Sequence, residues 1–212
     1  MLTDGASKSR LGSGHILVRP TESNGARLVD ATVNCPHMSP PLWALNTCLG
    51  LHAAGSRHVV YVPDNPLSHV LAVLRDRYPD VQTTIATREE EAFGIAAGLY
   101  LGGQRPTVML QSSGLGNSIN ALTSLLVPYQ MPMLVLISMR GDAGEWNAAQ
   151  VPMGRAVERI CHAIGLQTTT VASAEDVADT VALVGKTAFM TRLPGVCLLP
   201  RRVTVPAPKV VA

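Results

Sequence analysis

The sequence has little charge. Charged residues make up 15% of the 212 residues, against the roughly 25% typical of soluble domains. The 17 basic and 15 acidic residues nearly balance and give a formal net charge of +2. The basic residues are also scattered along the chain, which argues against a nucleic-acid-binding protein. A buried interface with a partner would explain the shortage, because the centres of interfaces are depleted in charge.

Long apolar runs and clustered cysteines are also missing. The longest apolar run covers residues 133–139, far below the roughly 20 residues that a membrane span needs. The N-terminus has no apolar core of the kind that a secretory signal contains. None of Cys35, Cys48, Cys161 and Cys197 stands at a metal-ligand spacing. We therefore expect a cytoplasmic protein without membrane contacts or metal ligands of its own, in which Cys48 and Cys197 fill the core.

The chain divides by composition. Residues 1–38 are rich in Gly, Ser, Asn and Thr and carry only short apolar pieces. We interpret them as an irregular leader, with a tag and a mis-assigned start as the two candidate origins. A regular pattern begins at Pro41, which places a domain at 39–205 and a tail at 206–212.

Helical and strand-like segments alternate through this domain. Helices are predicted at 42–52, 67–77, 87–101, 117–126, 154–164 and 174–191, and strands at 58–62, 81–86, 107–110, 133–138, 168–171 and 196–199. Thr87 is the expected N-cap of the third helix. Such alternation indicates right-handed βαβ units. The predicted fold is a single α/β domain with an open, mostly parallel six-stranded sheet flanked by helices.

The candidate chemistry lies where strands end, because open parallel sheets bind ligands at their carboxyl edge. This rule selects the segments 63–66, 111–117 and 140–142, together with the helix start at Arg88-Glu89. The segment 113–118 is predicted to be a glycine-bearing turn that opens a helix, but it lacks the spacing of a Rossmann or P-loop motif. Taken alone, its glycines serve chain geometry as plausibly as ligand binding, and the acidic helix start is equally typical of a solvated cap.

Taken together, two motifs carry a family resemblance. Arg88-Glu89-x-x-Ala92-x-x-x-Ala96-x-Gly98, followed by a strand and by Ser113-Gly114-x-Gly116-x-x-x-Asn120, resembles the pyrimidine-binding domain of thiamine diphosphate-dependent decarboxylases. The segments 111–125 and 138–142 are more specific. They are similar to the alpha subunits of split sulfopyruvate and phosphonopyruvate decarboxylases.

This resemblance implies a set of roles. Glu89 would be the catalytic residue, whose carboxyl hydrogen-bonds N1′ of the cofactor's aminopyrimidine and activates it. The remaining residues implied to bind the cofactor are Pro63, Gly114, Leu115 and Asn120. Those expected to bind substrate are Asn65, Gln111, Ser112 and Arg140, with Arg140 as the best-placed cation and a surface loop charge as its alternative.

One departure from the family pattern implies a partner. The chain has no Gly-Asp-Gly motif followed by Asn-Asn, which in this family holds Mg²⁺ and the diphosphate. We therefore expect a hetero-oligomer in which a beta-type subunit holds Mg²⁺ and thiamine diphosphate lies at the interface. The expected reaction converts sulfopyruvate to sulfoacetaldehyde and CO₂, with phosphonopyruvate as the alternative substrate. In the competing class, the chain is a non-catalytic α/β regulatory or assembly subunit.

Overall fold

A computed structural model describes residues 39–205. The predicted leader (1–38) and tail (206–212) lie outside the described residues, and the domain boundaries stay predictions. The helices are α1 Leu42–Ala53, α2 Leu67–Arg77, α3 Glu89–Leu101, α4 Ser112–Ala121, α5 Val151–Ala163, α6 Val177–Thr191 and α7 Arg201–Thr204. The strands are β1 His58–Tyr61, β2 Gln82–Ile85, β3 Pro106–Gln111, β4 Leu134–Ser138, β5 Thr168–Thr170 and β6 Gly195–Leu199.

The strands form one six-stranded sheet in the order β2-β1-β3-β4-β6-β5. Every strand pairing is parallel, which confirms the predicted α/β class. The chain passes from β1 outward to β2 and then returns to β3 on the other side of β1. The direction of winding thus reverses between β1 and β3, and such reversals open a crevice at the carboxyl edge of a sheet.

The sheet is buried on both faces because its central strands are apolar at successive positions. Along β4 all five residues are buried, with Val135 and Ile137 facing one core and Leu134 and Leu136 the other. The first core includes α3, α4 and α5, and the second includes α1, α2 and α6. No helix within 39–205 is long and apolar enough to cross a membrane.

The cysteines of the described region are buried thiols. Cys48, Cys161 and Cys197 have no exposed surface. Burial raises the pKa of Cys48 and Cys197 to about 12 and that of Cys161 to about 11. These groups are protonated at neutral pH and act as small apolar fillers, as predicted for Cys48 and Cys197.

Two local predictions were wrong. The glycine-bearing segment is the first part of α4 rather than a turn before it, since Gln111 is the N-cap and the helix begins at Ser112. The helix continues into a π-helical turn at Leu122–Leu126.

The predicted cap of α3 was also wrong. Thr87 does not cap α3, which begins at Glu89. Its backbone N–H and its hydroxyl instead donate to Glu91 Oε2, at 2.7 and 2.6 Å.

Candidate active site

Asp64 joins the ends of three neighbouring strands. Gln111 Nε2 donates to Asp64 Oδ1 at 3.1 Å, and Ser138 Oγ donates to Asp64 Oδ2 at 2.6 Å. The other end of the Gln111 amide accepts from Ser113 Oγ at 2.7 Å. The side chain of Gln111, predicted to bind substrate, is therefore held at both ends. Asp64 and Ser138 were not predicted as site residues, although Asp64 lies in the selected segment 63–66.

The three glutamates that open α3 have different environments. Glu91 accepts from Thr87, whose hydrogen bonds lower the pKa of that carboxyl. Glu90 pairs with Arg88, whose Nε lies 3.1 Å from Glu90 Oε1. Glu89 forms no ion pair with any residue of 39–205. Among the three, only Glu89 has neither an ion pair nor a short hydrogen bond within 39–205, and Glu90 Oε2 is buried there without a partner.

Glu89 lies directly over the first turn of α4. A β-carbon on the buried Gly114 would be 2.6 Å from Glu89 Cδ and closer still to Cγ and Oε1. Because real β-carbons do not approach other atoms this closely, any residue larger than glycine would displace the carboxyl. The structure thus places Glu89, from the motif on α3, directly against Gly114, from the motif on α4.

Asn117 is a polar neighbour of Glu89 that was not predicted as a site residue. Its Nδ2 lies 3.4 Å from Glu89 Oε2, a long hydrogen bond. Asn120, which was predicted instead, lies one turn further along α4, and its Oδ1 accepts from Ser124 Oγ at 2.9 Å. The two asparagines are three residues apart on α4. In the structure the side chain that contacts Glu89 is that of Asn117.

The remaining predicted cofactor and substrate residues are dispersed. Leu115 is 1% exposed and packs in the core, so only its backbone is available at the site. Pro63 and Asn65 are exposed in the loop after β1, where the carbonyl of Asn65 accepts from Ser68 Oγ. Ser112 is fully buried, and its Oγ accepts from the backbone N–H of Arg140 at 3.1 Å. That hydroxyl ties the start of α4 to the end of β4.

Arg140 is paired with Glu145. Its Nε and Nη2 donate to the two carboxylate oxygens at 2.7 Å each, a bidentate geometry. The Glu145 side chain is 2% exposed and also accepts from the backbone of Gly141, Trp146 and Asn147. The Arg140 guanidinium holds the pKa of Glu145 well below its usual range. Glu145 was not predicted as a site residue. Its carboxylate neutralises the charge of Arg140, which was predicted.

Within residues 39–205 no three His, Cys, Asp or Glu side chains are close enough to hold a metal ion together. The described polar groups of the site are instead arranged around the start of α4. Glu89 lies on one side of that turn, and Arg140 is joined to it through Ser112.

The fold and the site first define a class. The family model described as "Thiamine pyrophosphate enzyme, N-terminal TPP binding domain" matches residues 48–151, a range that includes Glu89 and Gly114. A solved structure of 2-oxoglutarate:ferredoxin oxidoreductase from Magnetococcus marinus has a similar fold, with a TM-score of 0.66 over 79% of this chain and 31% of that chain. Its sequence identity is 16%, so this likeness concerns the fold alone.

Curated relatives narrow the class. The chain is 56% identical over 75 residues to sulfopyruvate decarboxylase subunit alpha of Methanocaldococcus jannaschii, covering 35% of this chain and 44% of that relative. It is 39% identical over 132 residues to the same subunit of Methanothermobacter thermautotrophicus, covering 62% of this chain and 79% of that relative. Phosphonopyruvate decarboxylase of Streptomyces viridochromogenes is 38% identical over 50% of this chain and 27% of that protein. The chain belongs to the family of sulfopyruvate decarboxylase alpha subunits, as the segments 111–125 and 138–142 predicted.

Proposed function

We propose that the chain is the pyrimidine-binding subunit of a two-subunit thiamine diphosphate-dependent decarboxylase that converts sulfopyruvate to sulfoacetaldehyde and CO₂. The observation that carries this proposal is the position of Glu89, a carboxyl held over Gly114 with no ion-pair partner among residues 39–205. Glu91 accepts from Thr87 and one oxygen of Glu90 pairs with Arg88, whereas the Glu89 carboxyl lies against the first turn of α4, which makes Glu89 the carboxyl best placed for a cofactor.

The residues present fit the aminopyrimidine end of the cofactor. A ring nitrogen needs one acidic group that can share a proton with it, and Glu89 supplies that group. The absence of a side chain at Gly114 leaves the space that the carboxyl occupies. When bound, thiamine diphosphate supplies the electron sink for the bond that breaks as CO₂ leaves. Asn117 Nδ2 donates to Glu89 Oε2 and orients that carboxyl from the side.

The Asp64 cluster positions a second group. Asp64 fixes the Gln111 amide relative to the ends of β1 and β4, with Ser138 on its other oxygen. A side chain held at both ends loses little conformational freedom when a substrate binds, which favours precise orientation. We assign Gln111 to orienting the 2-oxo acid and Asp64 to positioning Gln111.

A beta-type partner subunit completes the proposed site and holds Mg²⁺ and the diphosphate. The relatives named above are alpha subunits, and the chain lacks the Gly-Asp-Gly and Asn-Asn pair. The exposed side of α3 supports this proposal, because a β-carbon on Gly94 or Gly98 would meet no atom within 4 Å. A helix side without bulk permits close approach of another backbone. The whole edge strand β2 is exposed as well.

Phosphonopyruvate is the second candidate substrate, supported by the match to the Streptomyces decarboxylase. A non-catalytic assembly role is the candidate of another class, and the position of the Glu89 carboxyl against Gly114 counts against it. A scaffold has no use for a carboxyl held in this way.

The test is reconstitution. The full chain is co-expressed with a candidate beta-type subunit and assayed for CO₂ release from sulfopyruvate, phosphonopyruvate and pyruvate, with thiamine diphosphate and Mg²⁺ present. We expect fastest turnover of sulfopyruvate. A faster rate with phosphonopyruvate would select the second candidate. A stable complex that turns over none of the three acids would favour the assembly role.

A further inference from the structure

A groove of about 530 Å³ opens at the carboxyl edge of the sheet. It lies where β4 and β6 end, since Ser138 and Leu199 are paired in the sheet and an arginine follows shortly after each. The residues that line it are Arg140, Glu145, Trp146, Asn147, Ala148 and Arg201. Neither Arg201 nor Trp146 was among the predicted site residues.

The two arginines of the groove, Arg140 and Arg201, differ in their ion pairing. Arg140 is paired with Glu145, whereas Arg201 forms no ion pair within the part of the chain that the structure describes. Its guanidinium carbon lies 5.9 Å from the centroid of the Trp146 ring, a cation–π distance. Trp146 itself is 88% exposed. The ring thus orients the guanidinium while leaving its N–H groups available to a ligand.

We propose that this groove binds the sulfonate of the substrate, with Arg201 as the residue that recognises it. This inference rests on the proposed function. Arg201 supplies a planar set of donors suited to a tetrahedral oxyanion, and Asn147 supplies an amide at the same groove. Arg140, fixed by Glu145, shapes the groove and links it through Ser112 to the helix turn beneath Glu89.

The charge of the groove favours a sulfonate over a phosphonate. Arg140 and Arg201 contribute two positive charges and Glu145 one negative charge, which leaves a net charge of one. A sulfonate carries one negative charge at neutral pH. A phosphonate, by analogy with a phosphate group, carries about 1.5 to 2 and would leave excess negative charge near the buried Glu145 carboxylate.

The test separates binding of the sulfonate group from the decarboxylation step. In the reconstituted complex, Arg201→Gln is expected to raise the KM for sulfopyruvate about ten- to hundredfold, the range for loss of a charged hydrogen bond, while kcat stays near that of the parent. Turnover of pyruvate, which lacks the sulfonate, should not change. Arg201→Lys should restore part of the affinity. Arg202→Gln is the matched control, since Arg202 is adjacent, exposed and absent from the groove.

A binding measurement on the full chain separates this inference from the proposed function. With Trp43→Phe, Trp146 is the one remaining tryptophan, and its fluorescence should change on titration with sulfoacetate and lose that response in Arg201→Gln. This measurement decides the role of the groove even if the complex turns over no sulfopyruvate, a result that would overturn the proposed function alone. An unchanged KM, an equal loss with pyruvate, or loss of the partner on co-purification of Arg201→Gln would each overturn the groove's assignment.

Discussion

The carboxyl of Glu89 occupies the space in which a side chain at residue 114 would begin. A β-carbon on Gly114 would be 2.6 Å from Glu89 Cδ, so the two residues depend on each other sterically. This dependence makes Gly114 part of the site through its effect on the position of the Glu89 carboxyl. The same relation explains why this position inside a helix requires glycine, which costs about 1 kcal/mol there relative to alanine.

Gly114→Ala is expected to reduce kcat/KM of the reconstituted complex at least tenfold, because a displaced carboxyl loses its alignment with the cofactor. The matched control is Gly116→Ala, two residues along the same helix. Its β-carbon would meet only the flexible Met153 side chain, at 3.4 Å from Sδ, so activity should persist and stability should rise by about 0.5–1 kcal/mol. Equal activities of the two alanine variants would contradict the steric role of Gly114.

Much of the fold was predictable from local pattern. The buried runs around Val59, Val108 and Leu136 predicted strands because central strands of parallel sheets are apolar on both faces. Their number and parallel order follow from the alternation with helices. The prediction was wrong where glycine carries a packing role, since Gly114 and Gly116 were interpreted as a turn before α4. They lie inside the helix.

The start of α4 also decides the surroundings of Leu115 and Asn120, whose roles at the cofactor stay predictions. With α4 beginning near residue 117, Leu115 would lie in a ligand-facing turn and Asn120 on the first turn of the helix. With the real start at Ser112, Leu115 turns into the core and Asn117 faces Glu89. Side-chain direction on a helix depends on its phase, and the phase could not be predicted from composition. Asp64 and Glu145 were missed because their partners are distant or lie across a loop. The fold is needed to show that Asp64 reaches the ends of β3 and β4 and that the loop after β4 returns Glu145 to Arg140.

Asp64→Ala is expected to lower the free energy of unfolding by about 1–3 kcal/mol, because it leaves the buried hydroxyl of Ser138 and the half-buried amide of Gln111 without their acceptor. Activity should fall as Gln111 loses its anchor, whereas Asp64→Asn should recover most of the stability. Urea unfolding monitored by circular dichroism measures the first effect. Asp76→Ala serves as control, since that side chain is 78% exposed. A stability loss no larger than that of the control would show that the cluster is not structural.

Glu145 is expected to make the stability of the domain depend on pH. Its folded-state pKa is lowered by Arg140, so its contribution is fully present above the unfolded value of about 4.3 and decreases as the pH falls below it. Glu145→Gln should cost about 1.5–3 kcal/mol at pH 7, the value of charged hydrogen bonds, and less at pH 3. Urea unfolding at both pH values gives the comparison. A difference between variant and parent that stays constant from pH 7 to pH 3 would contradict the assignment.

We expect the exposed side of α3 to pack closely against the beta-type subunit in the complex and to be exposed to solvent in the chain alone. Gly98→Leu should leave the fold of the full chain intact, since no atom lies within 4 Å of its β-carbon position, but should abolish co-purification with the beta-type subunit. The control is Ala72→Leu, an equally exposed small residue on α2. If both leucine variants co-purify with the partner to the same extent, α3 does not form the subunit contact.

The central claim is that Glu89, rather than Glu90 or Glu91, activates the cofactor. The most direct test compares Glu89→Gln with Glu90→Gln in the reconstituted complex, with thiamine diphosphate and Mg²⁺ at saturation and sulfopyruvate as substrate. Glu89→Gln should lower kcat about 10²- to 10⁴-fold, the range for loss of a positioned acid or base, whereas Glu90→Gln should stay within about twofold of the parent. A parental rate for Glu89→Gln would contradict the account.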